Sequence, residues 1–240
     1  MKTPEQILEH SEPHSKESGE KLNRLRAAVL GANDGIVSTA SLIVGVAGAS
    51  NTTSFILTAG IAGLVAGALS MGVGEYVSVS AQRDTEKALI EKEKKELKDN
   101  SDFELEELYK IYVSKGLSEE TARMVARELT EHDSVTAHLN AELGIDPNAL
   151  VDPWHAAFAS SAAFVCGAII PIAMVILSPV EIRIPATFFG VLLALITTGM
   201  LSAHFGGARK IRAAVRVVFG GILAMIVTFA IGKLFGIAGI

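Results

Sequence analysis

The chain of 240 residues has a single cysteine, a single tryptophan and only 6% aromatic residues. One cysteine excludes a disulfide framework and any cysteine-based zinc site, and Cys166, inside an apolar run, reads as a small buried hydrophobe. Charge is also scarce: 20% of residues are charged, against about 25% in soluble domains. No basic patch dominates and the net charge is −5, which argues against a nucleic-acid binder. The first 24 residues are polar and lack the apolar core of a signal sequence, so they read as a mobile tail. His10 and His14 on it read as solvated.

What the sequence does contain is hydrocarbon-compatible surface, interrupted once. Half the residues are hydrophobic and the mean hydropathy is +0.41. Residues 82–152 hold 10 Lys/Arg and 18 Asp/Glu, a local net of −8, against 11 and 8 elsewhere. A helix needs about 20 mostly apolar residues to cross a bilayer, and five stretches qualify: Leu25–Ala49, Phe55–Val79, Trp154–Leu177 (with Pro171 as an expected kink), Ile184–Ala203 and Ala213–Gly232. The expectation is an all-α polytopic membrane protein with five transmembrane helices. It has a tail at 1–24, spans one and two in 25–81, an acidic insert at 82–152 and spans three to five in 153–240.

Orientation follows from short basic flanks. Lys21, Arg24 and Arg26 precede the first span, and Arg209, Lys210, Arg212 and Arg216 join the fourth to the fifth. Arg83 and Lys87 follow the second span, whereas Ser50–Ser54 has no charge. These place the N-terminus and the insert in the cytoplasm and the C-terminus outside.

The insert reads as three amphipathic helices. Residues 84–99 are helix formers with a thin stripe of Leu89, Ile90 and Leu97. Ser101 with Glu104 has the spacing of a capping box, opening a helix with Phe103, Leu105, Leu108, Ile111 and Tyr112 that stops at Gly116. Ser118 caps a third helix through Met124, Val125 and Leu129, with a break near Asp133 and a stop at Gly144.

Two groups of residues could carry chemistry. Within the insert, Glu93 and Glu96, and Glu104 and Glu107, are spaced i, i+3; His138 and Glu142 are spaced i, i+4. Each pair shares a helix face, and five carboxylates with one imidazole suit Mn²⁺, Fe²⁺ or Zn²⁺. The plainer reading is a solvated face, with Lys92, Lys94 and Lys95 pairing the acids. Within the spans, Asp34 and Glu75 are costly in lipid, and an intramembrane acid suggests a functional site. Alternatively, Asp34 bonds Asn33 and Glu75 reaches the interface. Gly67, Met71, Glu75 and Ser78 share a face, so a thioether and a carboxylate could line a path for a transition metal. Gly31-x-x-x-Gly35 and Gly63-x-x-x-Gly67 signal close helix contacts. His155, His204 and Trp154 read as interfacial anchors.

The segments Leu30–Gly35, Thr58–Ala62 and Ala66–Gly72 resemble the vacuolar iron transporter family, and Gly74–Ser80 leading into Gln82–Glu86 resembles its bacterial and nodulin-like branch. The resemblance implies a homodimer that moves Fe²⁺ and/or Mn²⁺ out of the cytosol in exchange for protons. Zn²⁺ and Co²⁺ are further candidates. By position it implies Asp34 and Met71 in the membrane path and Glu93, Glu96, Glu104, Glu107 and Glu142 as metal-collecting residues; Glu75, from its place in the second span, is read as a further path acid, and His138, from its spacing to Glu142, as a sixth metal-collecting residue. It implies no prosthetic group and no enzymatic activity; the partners are lipid, divalent ions and protons. In this chain Gly63 stands where the plant transporters have a glutamate, and His138 where the insert has a methionine. The rival readings are a membrane-anchored metal-storing or ferroxidase-like protein, and a non-metal transporter with a docking insert. The first wants a Glu-x-x-His motif from each of two helices, and the chain has none.

Overall fold

The structure is a computed structural model that describes the backbone of residues 16–238 and the side chains of residues 27–236. His10, His14 and residues 1–15 of the expected tail lie outside the described residues. The chain is all-α: α1 (Lys16–Ala49), α2 (Thr53–Asp99), α3 (Ser101–Ser114), α4 (Glu119–His138), α5 (Pro153–Leu177), α6 (Arg183–Phe205) and α7 (Lys210–Ala238). A π-helical turn, Leu139–Leu143, follows α4, and a 3₁₀ turn, Val180–Ile182, precedes α6. Helix α1 begins at Lys16, so residues 16–24 of the expected tail are helical. Helix α5 continues through Pro171.

Among the described residues five helices are long and apolar enough to cross a membrane: Ala27–Ala49, Thr53–Asp99, Pro153–Leu177, Val180–Phe205 and Lys210–Gly236. The chain divides into two compact units, one of residues up to Gly74 together with Ala157 onward, the other Glu75–Ala156. Helix α2 contributes to both, and no proline interrupts its sequence between Thr53 and Asp99.

In the first unit α1 is the central helix. Ile36, Ala40 and Val44, spaced i, i+4, i+8, form one buried stripe against Val191 and Leu195 of α6 and Met225 of α7. Ile43 and Ala47, on the next face, pack on Ile56 of α2 and Val175 of α5. Contact is backbone to backbone where glycine removes the side chain. A Cβ on Gly35 would strike the Phe164 carbonyl of α5, and one on Gly232 of α7 would strike the Gly45 carbonyl. Gly31 also faces α5, at Ala163 and Ser160. The first glycine pair therefore meets α5, while Gly63 and Gly67 of the second pair meet the side chains of Leu42 and Phe164. Buried Arg183 ties three helices, donating from Nε to the Val175 carbonyl (3.2 Å) and from Nη1 to Thr53 Oγ1 (2.9 Å). The C-terminal end of α5 thus offsets its charge.

In the second unit Leu108 and Tyr109 of α3 pack on Ala122 and Ala126 of α4. The apolar stripe of α4 is therefore set by alanines, which let the helices approach closely; Met124, expected in it, is 55% exposed. Phe103, also expected to be apolar core, is 66% exposed. Arg123 lies 4.2 Å above the Tyr109 ring and pairs with Glu106, covering the rim of this small core.

Candidate metal centre

Helix α2 ends at Asp99, and the backbone of Asn100 (φ −143°, ψ 50°) turns the chain into α3. This shifts the expected cap by one residue. Asn100 and not Ser101 is the N-cap, so Glu104 falls at the fourth helical position, one beyond the place a capping-box acid occupies. Glu104 does not cap; it is buried, 5% exposed. On α2, Ile90, Glu93 and Leu97 are spaced i, i+3, i+7, and Glu93 takes the middle of that inward face at 3% exposure.

The third side chain comes from the far end of α4. Ser118 caps this helix as expected, accepting from the Thr121 amide at 3.3 Å. The expected break occurs at Asp133, which is extended (φ −159°, ψ 93°). Its carboxylate accepts from the Thr136 amide at 3.0 Å and recaps the helix, which holds the Asp133 carboxyl below its usual range. One turn later His138 is fully buried. The π turn then closes on Gly144, whose φ of +66° is the left-handed conformation that glycine tolerates.

Glu93, Glu104 and His138 each present a ligand atom within 4.8 Å of the other two. His138 Nδ1 is 3.2 Å from Glu93 Oε1 and 3.7 Å from Glu104 Oε2. Neither contact is a directed hydrogen bond: both imidazole nitrogens and Glu93 Oε1 are buried without a partner. Buried polar atoms are almost always satisfied, so His138 Nδ1 and Glu93 Oε1, orphaned and facing each other beside Glu104, call for a ligand. Burial, reinforced by Glu142, Glu104 and Glu96, pushes Glu93 up to about 7. Burial and then Glu107 raise Glu104, and burial holds His138 below its usual range, opposed by Glu107. Without a cation the site therefore favours protonated carboxyls and a neutral imidazole. A divalent ion reverses the carboxyl preference and takes the imidazole lone pair.

The sequence spacing pointed to these residues but not to their grouping. One acid from each i, i+3 pair joins His138 across three helices, and Glu96, Glu107 and Glu142 stand outside the buried trio. Glu96 pairs with Lys92 at 2.9 Å, and Glu107 lines a groove with Phe103 and Lys110. Glu142 is exposed, because the π turn opening at Leu139 breaks the α-helical i, i+4 register with His138. Its carboxyl is raised, chiefly by desolvation and by Glu107.

In the first unit a cleft of about 270 Å³ is lined by residues including Asp34, Ser38, Gly67, Ser70, Met71 and Phe164. The expected bond between Asp34 and Asn33 does not form; the Asn33 side chain is turned to α6, where Thr198 donates to its Oδ1 at 2.5 Å. Among the described residues the Asp34 carboxylate has no hydrogen-bond or ion-pair partner, and it is exposed in this chain. The Met71 sulfur packs beside Gly31. Ser38 and Ser70 were not singled out by sequence, although Ser38 is one turn from Asp34 on α1. Glu75 opens the second unit, is half-buried and is not a lining residue. Next to Glu75 on α2, the Tyr76 ring packs at a tilt of 49° against Trp154, with 4.7 Å between centroids.

The model of the VIT family matches residues 25–233, most of the chain. The chain belongs to the VIT family. VIT proteins are transporters and not enzymes. This VIT chain is 44% identical over 211 residues to the vacuolar iron transporter of Acanthamoeba castellanii, covering 88% of the chain and 78% of that protein. It is 37% identical over 217 residues to vacuolar iron transporter homolog 2 of Arabidopsis thaliana, covering 90% and 86%. It is 38% identical over 217 residues to vacuolar iron transporter homolog 1 of Oryza sativa subsp. japonica, covering 90% and 75%. These relatives come from an amoeba and two plants.

Proposed function

We propose that this VIT chain exports Fe²⁺ and/or Mn²⁺ from the cytosol, as a homodimer that exchanges the ion for protons. The observation that carries the reading is the buried trio Glu93, Glu104 and His138, each presenting one ligand atom within 4.8 Å of the others. Two hard carboxylates and one borderline imidazole suit Fe²⁺, Mn²⁺ or Zn²⁺ better than a soft thiophilic ion. Glu96, Glu107 and Glu142 draw cations to this site. Asp34 and Met71 coordinate the ion in transit, and Asp34 or Glu75 exchanges protons, since metal binding displaces the proton of a carboxyl.

The basic flanks support a cytoplasmic insert and N-terminus with the C-terminus outside. The stretch Gly74–Ser80 supports the bacterial and nodulin-like branch, and with it a bacterial cytoplasmic membrane.

The test is ion uptake into liposomes holding the full chain, with Fe²⁺, Mn²⁺, Co²⁺ and Zn²⁺ in competition, with and without a pH gradient. The expected result is uptake of Fe²⁺ or Mn²⁺ that is accelerated by an opposing proton gradient. Binding without flux would favour a storage protein, and ferroxidase turnover would favour the redox reading. Neither binding nor flux would favour a non-metal transporter.

A further inference from the structure

Helix α7 begins with an unusual distribution of charge. Arg209, Lys210, Arg212 and Arg216 fall within eight residues, whereas residues 182–240 contain no Asp or Glu. All four are exposed, and among the described residues none takes part in an ion pair. The first turn of α7 carries no acid.

Spacing makes the arrangement costlier than its count suggests. Arg212 and Arg216 are i, i+4 on α7, so their guanidinium groups share one face, and Arg209, whose carbonyl accepts from the Ala213 amide, immediately precedes the first turn. Like charges at this spacing repel, and the start of a helix is also the end at which its dipole disfavours cations. Arg216 lies about 9 Å along the axis from Lys210, deep enough that its guanidinium must reach back towards a headgroup layer. Beside the arginines runs a second stripe, Ile211, Val215 and Phe219, spaced i, i+4, i+8 and exposed at 80%, 61% and 67%. A row of unpaired cations therefore adjoins a row of unpaired apolar side chains, both parallel to the helix that enters the membrane.

We propose that this face of α7 is a binding site for one anionic phospholipid. Its phosphate is held by Arg209, Arg212 and Arg216, and an acyl chain lies along Ile211, Val215 and Phe219. The charge complement is direct, because the lipid supplies the anion that this part of the chain lacks. The residue type fits as well: guanidinium binds phosphate through paired, parallel N–H donors, whereas an ammonium offers a point charge. A flank that only sets topology needs positive charge and no geometry, so lysine would serve it equally. That difference separates the two roles. The inference stands apart from the metal site and does not depend on which ion is carried.

The experiment is lipid retention by the purified full-length protein, read by native mass spectrometry and by the shift in thermal midpoint on adding lipid. Phosphatidylglycerol is compared with phosphatidylcholine, and inorganic phosphate is the third arm. Retention of phosphatidylglycerol should exceed that of phosphatidylcholine by at least roughly fivefold, the effect of one basic residue at an anionic surface. The R209Q/R212Q/R216Q variant should lose the preference, and R209K/R212K/R216K, which keeps the topogenic charge, should retain severalfold less than the parent. Equal retention of the two lipids would overturn the proposal, as would full phosphatidylglycerol retention by the glutamine variant. Displacement of the lipid by millimolar phosphate would reassign the face to a free anion. If the glutamine variant does not fold, the lysine variant decides, and retention equal to the parent's would overturn the arginine geometry.

Discussion

The insert and the membrane cleft hold comparable chemistry in opposite states. In the insert, Glu93, Glu104 and His138 are 3%, 5% and 0% exposed, and their donor atoms converge. In the cleft, Asp34 is exposed and Met71 half-buried, along an open wall of α1 and α2. A converged, dry site is built to hold an ion, since each unsatisfied buried atom raises the cost of being empty. An open wall with one carboxylate has too few donors to hold an ion from one chain alone, which suits a place where the ion must leave again. On the proposed reading the difference is one between capture and passage, and each half of it can be broken independently.

The largest effect is expected from Asp34→Ala. If the cleft is the path, flux into liposomes falls by at least the roughly 10–100-fold that losing even an outer-shell partner costs a metal site. Binding of Mn²⁺ to the insert of the same protein stays unchanged by calorimetry. Flux at the parent's rate would remove Asp34 from the path. The converse variant is Glu93→Gln. It should weaken Mn²⁺ binding by roughly 10–100-fold while raising the thermal midpoint of the metal-free protein at pH 7, because it removes a carboxylate that is buried against other acids. Opposite signs with and without metal are the mark of a site strained for its ligand. A loss of stability in both conditions would mean that Glu93 is only structural.

A smaller, graded effect follows from pH. Glu93 sits at about 7 in the folded chain against an ordinary value near 4.5. A raised carboxyl contributes stability that is complete below the unfolded value and lost as pH rises through the folded one. The metal-free insert should therefore weaken between about pH 4.5 and 7. Metal affinity should move the other way, rising by up to about tenfold per pH unit below 7 for one displaced proton and flattening above it. Calorimetry in two buffers of different ionisation enthalpy would count that proton, and a pH-independent affinity would contradict the burial argument.

The spans, the acidic insert, the break at Asp133 and the stop at Gly144 were legible because each rests on local rules: hydropathy, capping and glycine. The candidate ligands were legible as types at helical spacings. Their grouping was not, since it depends on which acid of each pair turns inward. One signal was available: Glu93 replaces an apolar residue in the inward stripe between Ile90 and Leu97. The capping-box reading of Glu104 failed for a reason of one residue, Asn100 taking the cap. The alanine face of α4 was missed because Met124 and Val125 dominate a hydrophobicity reading, whereas Ala122 and Ala126 win by closeness of approach. The Asn33–Thr198 bond is 165 residues apart in sequence, beyond any local rule.

The smallest predicted effect tests whether the cleft wall is as pliable as its openness implies. Gly35 and Gly63 both lie on membrane helices, and alanine would gain about 0.5–1 kcal/mol at either from reduced backbone entropy. What the new methyl group meets is different. At Gly35 it would run into the Phe164 carbonyl of α5, which is backbone and can move only with its helix, so the α1–α5 contact must open at a net cost of about 1–3 kcal/mol. At Gly63 it would meet Leu42 Cδ2 at 2.6 Å, the tip of a side chain already 40% exposed. Leu42 can rotate away from the cleft, and the repulsion is relieved at a cost close to the entropy gain. Gly63→Ala should therefore change the stability read from thermal unfolding by less than the roughly 0.5 kcal/mol scatter of surface substitutions, and Gly35→Ala should lower it clearly. Equal losses at the two positions would mean that the cleft wall is packed as tightly as the helix core, and the contrast between a held site and a yielding path would fail.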